Sequence, residues 1–193
     1  MGHGEEFSTL DQDVHGRPVV LEIGIIYIGN RGRMILITRN YTLVPKQWIA
    51  GNDNDADPAR FEPHYEVVSH PDQVQIYEPV MLNTDEEVTY TLLRAYSYAK
   101  DNRLLPAGFD KEALGIEDFA VYGNAVGDLN FVGGSDQVTY EIGVAGAKGK
   151  LSITVELLYQ TLSYPFVADL AATNTDLVAR FMNMYVPAEN LPV

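Results

Sequence analysis

Residues Pro18–Gly29 (PVVLEIGIIYIG) and Arg33–Val44 (RMILITRNYTLV) are two apolar, β-branched runs on either side of Asn30-Arg31-Gly32. Such runs favour the pleated backbone, and an Asn-x-Gly turn between them predicts a β-hairpin. Their near-continuous apolar character predicts burial on both faces, or one face beneath an added element. Val74–Leu82, Phe119–Gly123 and Asp136–Val144 read as further strands. Pro79 predicts an edge position or a bulge for its run, because proline has no N–H to give a ladder. In Leu151–Leu162, the side chains of Leu151, Ile153, Val155, Leu157 and Tyr159 fall on one face at period two.

Two stretches depart from that period. Residues 84–100 fit both patterns: Thr84 and Glu87 form a capping box ahead of a helical face, while Val88, Tyr90 and Leu92 alternate as a strand. Their β-branched and aromatic content favours strand. Asp176–Tyr185 sets Leu177, Phe181 and Met184 at helical spacing, with Asn174 or Thr175 as the cap. Short strands at regular spacing followed by one helix predict a mainly β fold: an antiparallel Ig-like β-sandwich with a C-terminal helix. Residues 1–17 form an irregular lead-in, and residues 18–193 a single domain.

Charge narrows the partners. Lys and Arg number 13 against 27 Asp and Glu, a net charge of −14. Phosphate binding needs a basic footprint, so nucleic acid is excluded as a partner, and anionic membranes are poor partners for the same reason. A field of this sign suits solubility, divalent cations or a basic partner. The chain has no cysteine. Disulfides, Cys-ligated zinc, Fe–S clusters and covalent haem attachment are therefore excluded within it. No apolar run is long enough to span a membrane. The acidic, polar start lacks the pattern of a signal peptide.

The candidate chemistry is sparse. The chain carries none of the nucleophile-elbow, P-loop or dinucleotide-binding patterns, so a non-enzymatic role is the expectation. His64 and His70 are candidate metal or haem-iron ligands, since imidazole serves both. Two acidic loops are candidate calcium sites, because alternate carboxylates on a tight loop supply several of the oxygen ligands the ion needs. One places Asp53, Asp55 and Asp57 at alternate positions; the other sets Asp128, Asn130 and Asp136 around Gly133-Gly134. The first fails the EF-hand pattern, and the plainer readings are a solvated loop for the first and Asx turn chemistry for the second.

Four segments carry a more specific signal. Glu62–Met81, Leu92–Lys111, Gly127–Ile142 and Val155–Leu170 contain the phrases VQIYE, KDNRLLP and GGSD. In this order they resemble the haem-free β-sandwich region of extracytoplasmic multihaem c-type cytochromes. The resemblance spans about residues 62–185. It implies a periplasmic or extracellular protein that serves as an accessory, docking or assembly module of an electron-transfer system. Haem would come only through a partner chain, a multihaem cytochrome, with His64 or His70 as its contact. Without a Cys-x-x-Cys-His motif the chain attaches none itself. The family's Gly-His-x-x-Pro stretch is also missing, replaced by Gly29–Trp48. The alternatives are a calcium-dependent adhesion module or a self-assembling filament subunit. On the structural side, Asp101 and Arg103 are expected to lock the turn before Pro106.

Overall fold

A computed structural model describes residues 19–26, 33–40, 60–70, 73–113, 115, 120–142, 153–160 and 162–185. Its strands are β1 (Val19–Ile26), β2 (Arg33–Asn40), β3 (Val67–Val68), β4 (Gln75–Tyr77), β5 (Pro79–Leu82), β6 (Val88–Thr89), β7 (Ser97–Asp101), β8 (Ser135–Ile142) and β9 (Ile153–Gln160). They form three small sheets, ordered β1-β8-β3, β4-β2-β9 and β6-β5-β7. Every pairing is antiparallel except that of β3 with β8. The described residues are thus mainly β, and among them two helices follow: α1 (Tyr164–Ala171) and α2 (Asp176–Tyr185).

The β1–β2 hairpin expected from the sequence does not form. β1 pairs along its whole length with β8, from Val19 opposite Ile142 to Ile26 opposite Ser135. β2 pairs with β4 and β9 instead. Six residues separate the two strands in sequence, enough for the chain to change sheets rather than fold straight back. A strand that is apolar on both faces gains more from the interior of a three-stranded sheet than from a two-stranded ribbon, and β2 occupies such an interior position.

Of the two expectations for Pro79, an edge position or a bulge, the irregular register is the one observed. β5 is the centre of its sheet, not an edge. The proline is tolerated because it is the first residue of the strand, and the register shifts just after it, between Val80 and Met81. The ambiguous segment 84–100 divides into the short strand β6, a 3-10 turn at Leu92–Arg94 and the start of β7. Of the strand expected at 119–123, the described residues 120–123 contribute a bridge between Tyr122 and Asp101.

Helix α2 falls where its apolar spacing put it, while α1 was not expected. Ser163 caps α1 by accepting from the Phe166 amide, and Pro165 sits in its first turn, where a missing N–H costs nothing.

The core lies around β4, β8 and the loops between them. Val68, Tyr77, Leu105, Ala125, Phe131, Val138 and Tyr140 are buried together, with Tyr65, Leu104, Phe109 and Val121 packed against them. The Gly133-Gly134 turn closes on this core. The chain reverses there through paired bonds between Val132 and Ser135. A Cβ at Gly133 would stand 2.2 Å from the Phe109 carbonyl oxygen, so only glycine permits that approach.

Candidate functional site

Five separate segments deliver polar side chains to one buried place beside the core. His64 comes from the extended stretch leading into β3, and Gln75 and Tyr77 from β4. Asn102 lies just past β7. Asp128 follows the 3-10 turn at Gly123–Val126, and Asp136 is the second residue of β8. All six are less than 4% exposed.

His64 is the hub. Its Nε2 lies 3.0 Å from Asp128 Oδ2. Its Nδ1 lies 2.9 Å from Gln75 Nε2 and 3.0 Å from Asn102 Nδ2. The backbone sets the direction of both amides. Gln75 Oε1 accepts the Tyr65 N–H at 2.8 Å. Asn102 Oδ1 accepts the Glu78 N–H at 3.0 Å, and its Nδ2 also donates to the Ile76 carbonyl at 2.8 Å. Turning either amide round would set N–H against N–H. Both therefore present donors to Nδ1, which holds the lone pair, and the imidazole proton resides on Nε2, donated to Asp128.

The carboxylates are equally engaged. Asp128 Oδ1 accepts from the Asn130 amide at 2.9 Å and, more weakly, from that of Phe131 at 3.4 Å. Tyr77 donates its hydroxyl to Asp136 Oδ2 at 2.5 Å, and the Gln137 amide donates to Oδ1 at 2.8 Å. Burial pushes the Asp136 carboxyl above its usual range and the negative Asp128 adds to this, while the Tyr77 bond and His64 oppose it. Burial, and then the charge of Asp136, hold the Tyr77 hydroxyl well above its ordinary value. Tyr140 is raised for the same two reasons.

Neighbouring bonds fix the frame. Lys100, fully buried, donates to the carbonyls of Glu62 at 2.6 Å and Ile76 at 2.8 Å, with the Glu78 carboxylate 3.7 Å away. Lys111 donates to the carbonyls of Ala125 and Asp128, clamping the loop that carries Asp128. The Phe131 ring packs against His64, centroids 5.0 Å apart.

The sequence candidates fare unequally. His64, Asp128 and Asp136 are brought together, their ligand-type atoms all within 4.8 Å of one another. Asn130 is not part of that group; it is exposed, and its side-chain oxygen accepts the Gln137 amide. Asp53, Asp55 and Asp57 lie outside the described residues. His64, the expected contact for a partner's haem, is 3% exposed, and both ring nitrogens are engaged inside the fold. His70 is exposed, beside the Ser69 hydroxyl. The expected lock at Asp101 and Arg103 is present as a bidentate pair at 2.8 and 2.5 Å. Its bonds to Asp101 hold the Arg103 guanidinium still more firmly protonated.

Gln75, Tyr77 and Asn102 were not expected at the site. For Gln75 the signal was a glutamine inside the apolar run VQIYE, whereas Asn102 lies between the charged Asp101 and Arg103 and carries no such signal. A polar side chain inside a buried run needs a partner.

A cation held through His64 Nε2 needs the other ring nitrogen to carry the proton and donate it onward. Here that nitrogen faces two N–H donors. The centre of the cluster thus offers an N–H rather than a lone pair. Among the described residues no helix is long and apolar enough to cross a membrane. No protein-family model matches the chain, and no curated protein or solved structure matches it.

Proposed function

We propose that this chain is a non-catalytic docking module of an extracytoplasmic electron-transfer assembly. It folds as an Ig-like sandwich, carries neither haem nor a resident cation, and binds a multihaem c-type cytochrome. One observation carries the non-catalytic reading: the richest chemistry among the described residues is closed on itself. A reaction centre keeps a base, nucleophile or metal position turned toward substrate. In the His64 cluster both imidazole nitrogens and all four carboxylate oxygens are spent on neighbours within the fold. Such a network rigidifies and specifies a core. The cytochrome partner rests on the resemblance of residues 62–185.

The test is a visible spectrum. The recombinant chain is expected to be colourless. Material drawn gently from its native source is expected to carry a Soret band that moves with this chain through size exclusion. A chain that elutes apart from all haem absorbance overturns the reading.

A further inference from the structure

The sheet β6-β5-β7 ends in an unusual surface. Leu92, Leu93 and Tyr96 are 79%, 98% and 77% exposed, three large apolar side chains within five residues. Isolated exposed leucines are ordinary, but a cluster of this kind marks a contact surface. The three sit on the crossover between β6 and β7, whose 3-10 turn is closed by the Ala95 N–H to Leu92 carbonyl bond. The Tyr96 amide donates to the Leu82 carbonyl at 2.8 Å. Leu82 is the last residue before the turn Asn83–Glu87, which closes through the Asn83 N–H to Glu87 carbonyl bond at 2.9 Å.

That turn is acidic and strained. Asp85, Glu86 and Glu87 are all exposed. Glu86 has φ +62°, the left-handed region where glycine is the easy choice and glutamate is not. Asn83 holds the loop in this shape, its side-chain oxygen accepting from the amides of Asp85 and Glu87, both at 2.9 Å. The acidic turn thus begins one residue after Leu82, the residue that the Tyr96 amide bonds, and Arg94 lies on the crossover itself.

We infer that Leu92, Leu93 and Tyr96, with the acidic turn at Asp85–Glu87 beside them, form the docking ridge, and that its occupant is a protein surface with an apolar recess rimmed by lysine or arginine. This rests on the docking reading above and names the surface it uses. Charge complementarity selects the occupant. A second copy would bring the same carboxylates and the same net charge of −14 against the ridge. A basic rim is attracted instead, and the apolar side chains supply the desolvated centre around which binding energy concentrates.

The test uses the full chain and two purified multihaem c-type cytochromes, one basic and one acidic, with binding followed by interferometry at low and physiological ionic strength. The wild-type chain is expected to bind the basic cytochrome and not the acidic one. Leu92→Ser/Leu93→Ser is expected to weaken binding at least tenfold at both ionic strengths, mainly through faster dissociation. Asp85→Asn/Glu86→Gln is expected to slow association and flatten the salt dependence. Because the ridge side chains are exposed, an unchanged melting temperature verifies that each variant is folded. If the basic cytochrome binds both variants as it binds the wild type, the ridge assignment is overturned while the docking reading stands. If neither cytochrome binds the wild type, the docking reading falls and the ridge with it. Ridge-dependent dimerisation in sedimentation would overturn the choice of a basic partner.

Discussion

Asn102→Asp tests the arrangement around His64 with a change of almost no volume. The native amide donates to His64 Nδ1 and to the Ile76 carbonyl, and accepts from the Glu78 amide. A carboxylate keeps only the last of these. The two lost donations cost about 0.5–1.5 kcal/mol each. The larger cost is electrostatic, since a new negative charge would face the Nδ1 lone pair and a carbonyl oxygen at a site with no solvent exposure. Lys100, which donates to the same Ile76 carbonyl, offsets part of this. An uncompensated buried charge costs about 3–5 kcal/mol, which sets the expected loss at neutral pH. For a chain of 193 residues that is a fall in Tm of about 6–20 °C, at about 2–4 °C per kcal/mol. The sign of the pH effect follows from the geometry. The folded variant favours the protonated carboxyl, which regains a donor, so its folded pKa lies above the unfolded value. The deficit relative to wild type should therefore shrink as pH falls through that folded pKa. Urea unfolding of both proteins across the acidic range is the assay. A deficit below about 1 kcal/mol, smaller than a single lost buried hydrogen bond is normally worth, would refute the claim that Asn102 is a required donor. So would a deficit that acid leaves unchanged.

Other expectations follow from neighbouring features. Glu86→Gly should stabilise by up to about 1 kcal/mol by relieving the left-handed strain, read as a higher urea midpoint; a loss would show that φ +62° costs the fold nothing. Gly133→Ala drives a Cβ into the Phe109 carbonyl and should cost about 1–3 kcal/mol by calorimetry, whereas an unchanged Tm would contradict the close approach. The Asp136 carboxyl, raised by burial, contributes stability that is present below the unfolded pKa and lost as pH rises through the folded one. Asp136→Asn should flatten that part of the stability profile, and an unaltered profile would count against it. Calcium or zinc at millimolar concentration should leave the Tm unmoved. A rise that disappears in His64→Gln would show that the imidazole can turn its lone pair to a cation.

The strands of greatest length were legible because period and β-branched content agree there: β1, β2 and β9 lie within the runs the sequence marked, and β8 begins one residue ahead of its run. Their partners were not. Pairing β1 with β8 joins Val19 to Ile142, a contact no local turn signal announces. Of the site, His64, Asp128 and Asp136 were singled out as chemistry-bearing types, but in two unrelated proposals. Only folding shows that the histidine and the two acids share one place, Asp128 lying 64 residues from His64 in the chain and Asp136 farther still. Gln75 and Asn102 stayed hidden because an amide has no distinctive spacing. Its meaning lies in which way it points, and here the amides of Tyr65 and Glu78 decide that.

The same separation governs how the protein assembles. The His64–Asp128 bond spans 64 residues and the Tyr77–Asp136 bond 59. Neither can form until the segments before β3, along β4 and at the start of β8 have already met, because loop closure must come before the reward of a distant contact. The cluster is therefore a late event on the folding route. Substitutions in it should leave the refolding rate nearly unchanged and show themselves as faster unfolding. A chain built this way ties the segments that carry His64, Tyr77, Asp128 and Asp136 to one another, so that the polar knot releases only when they part together.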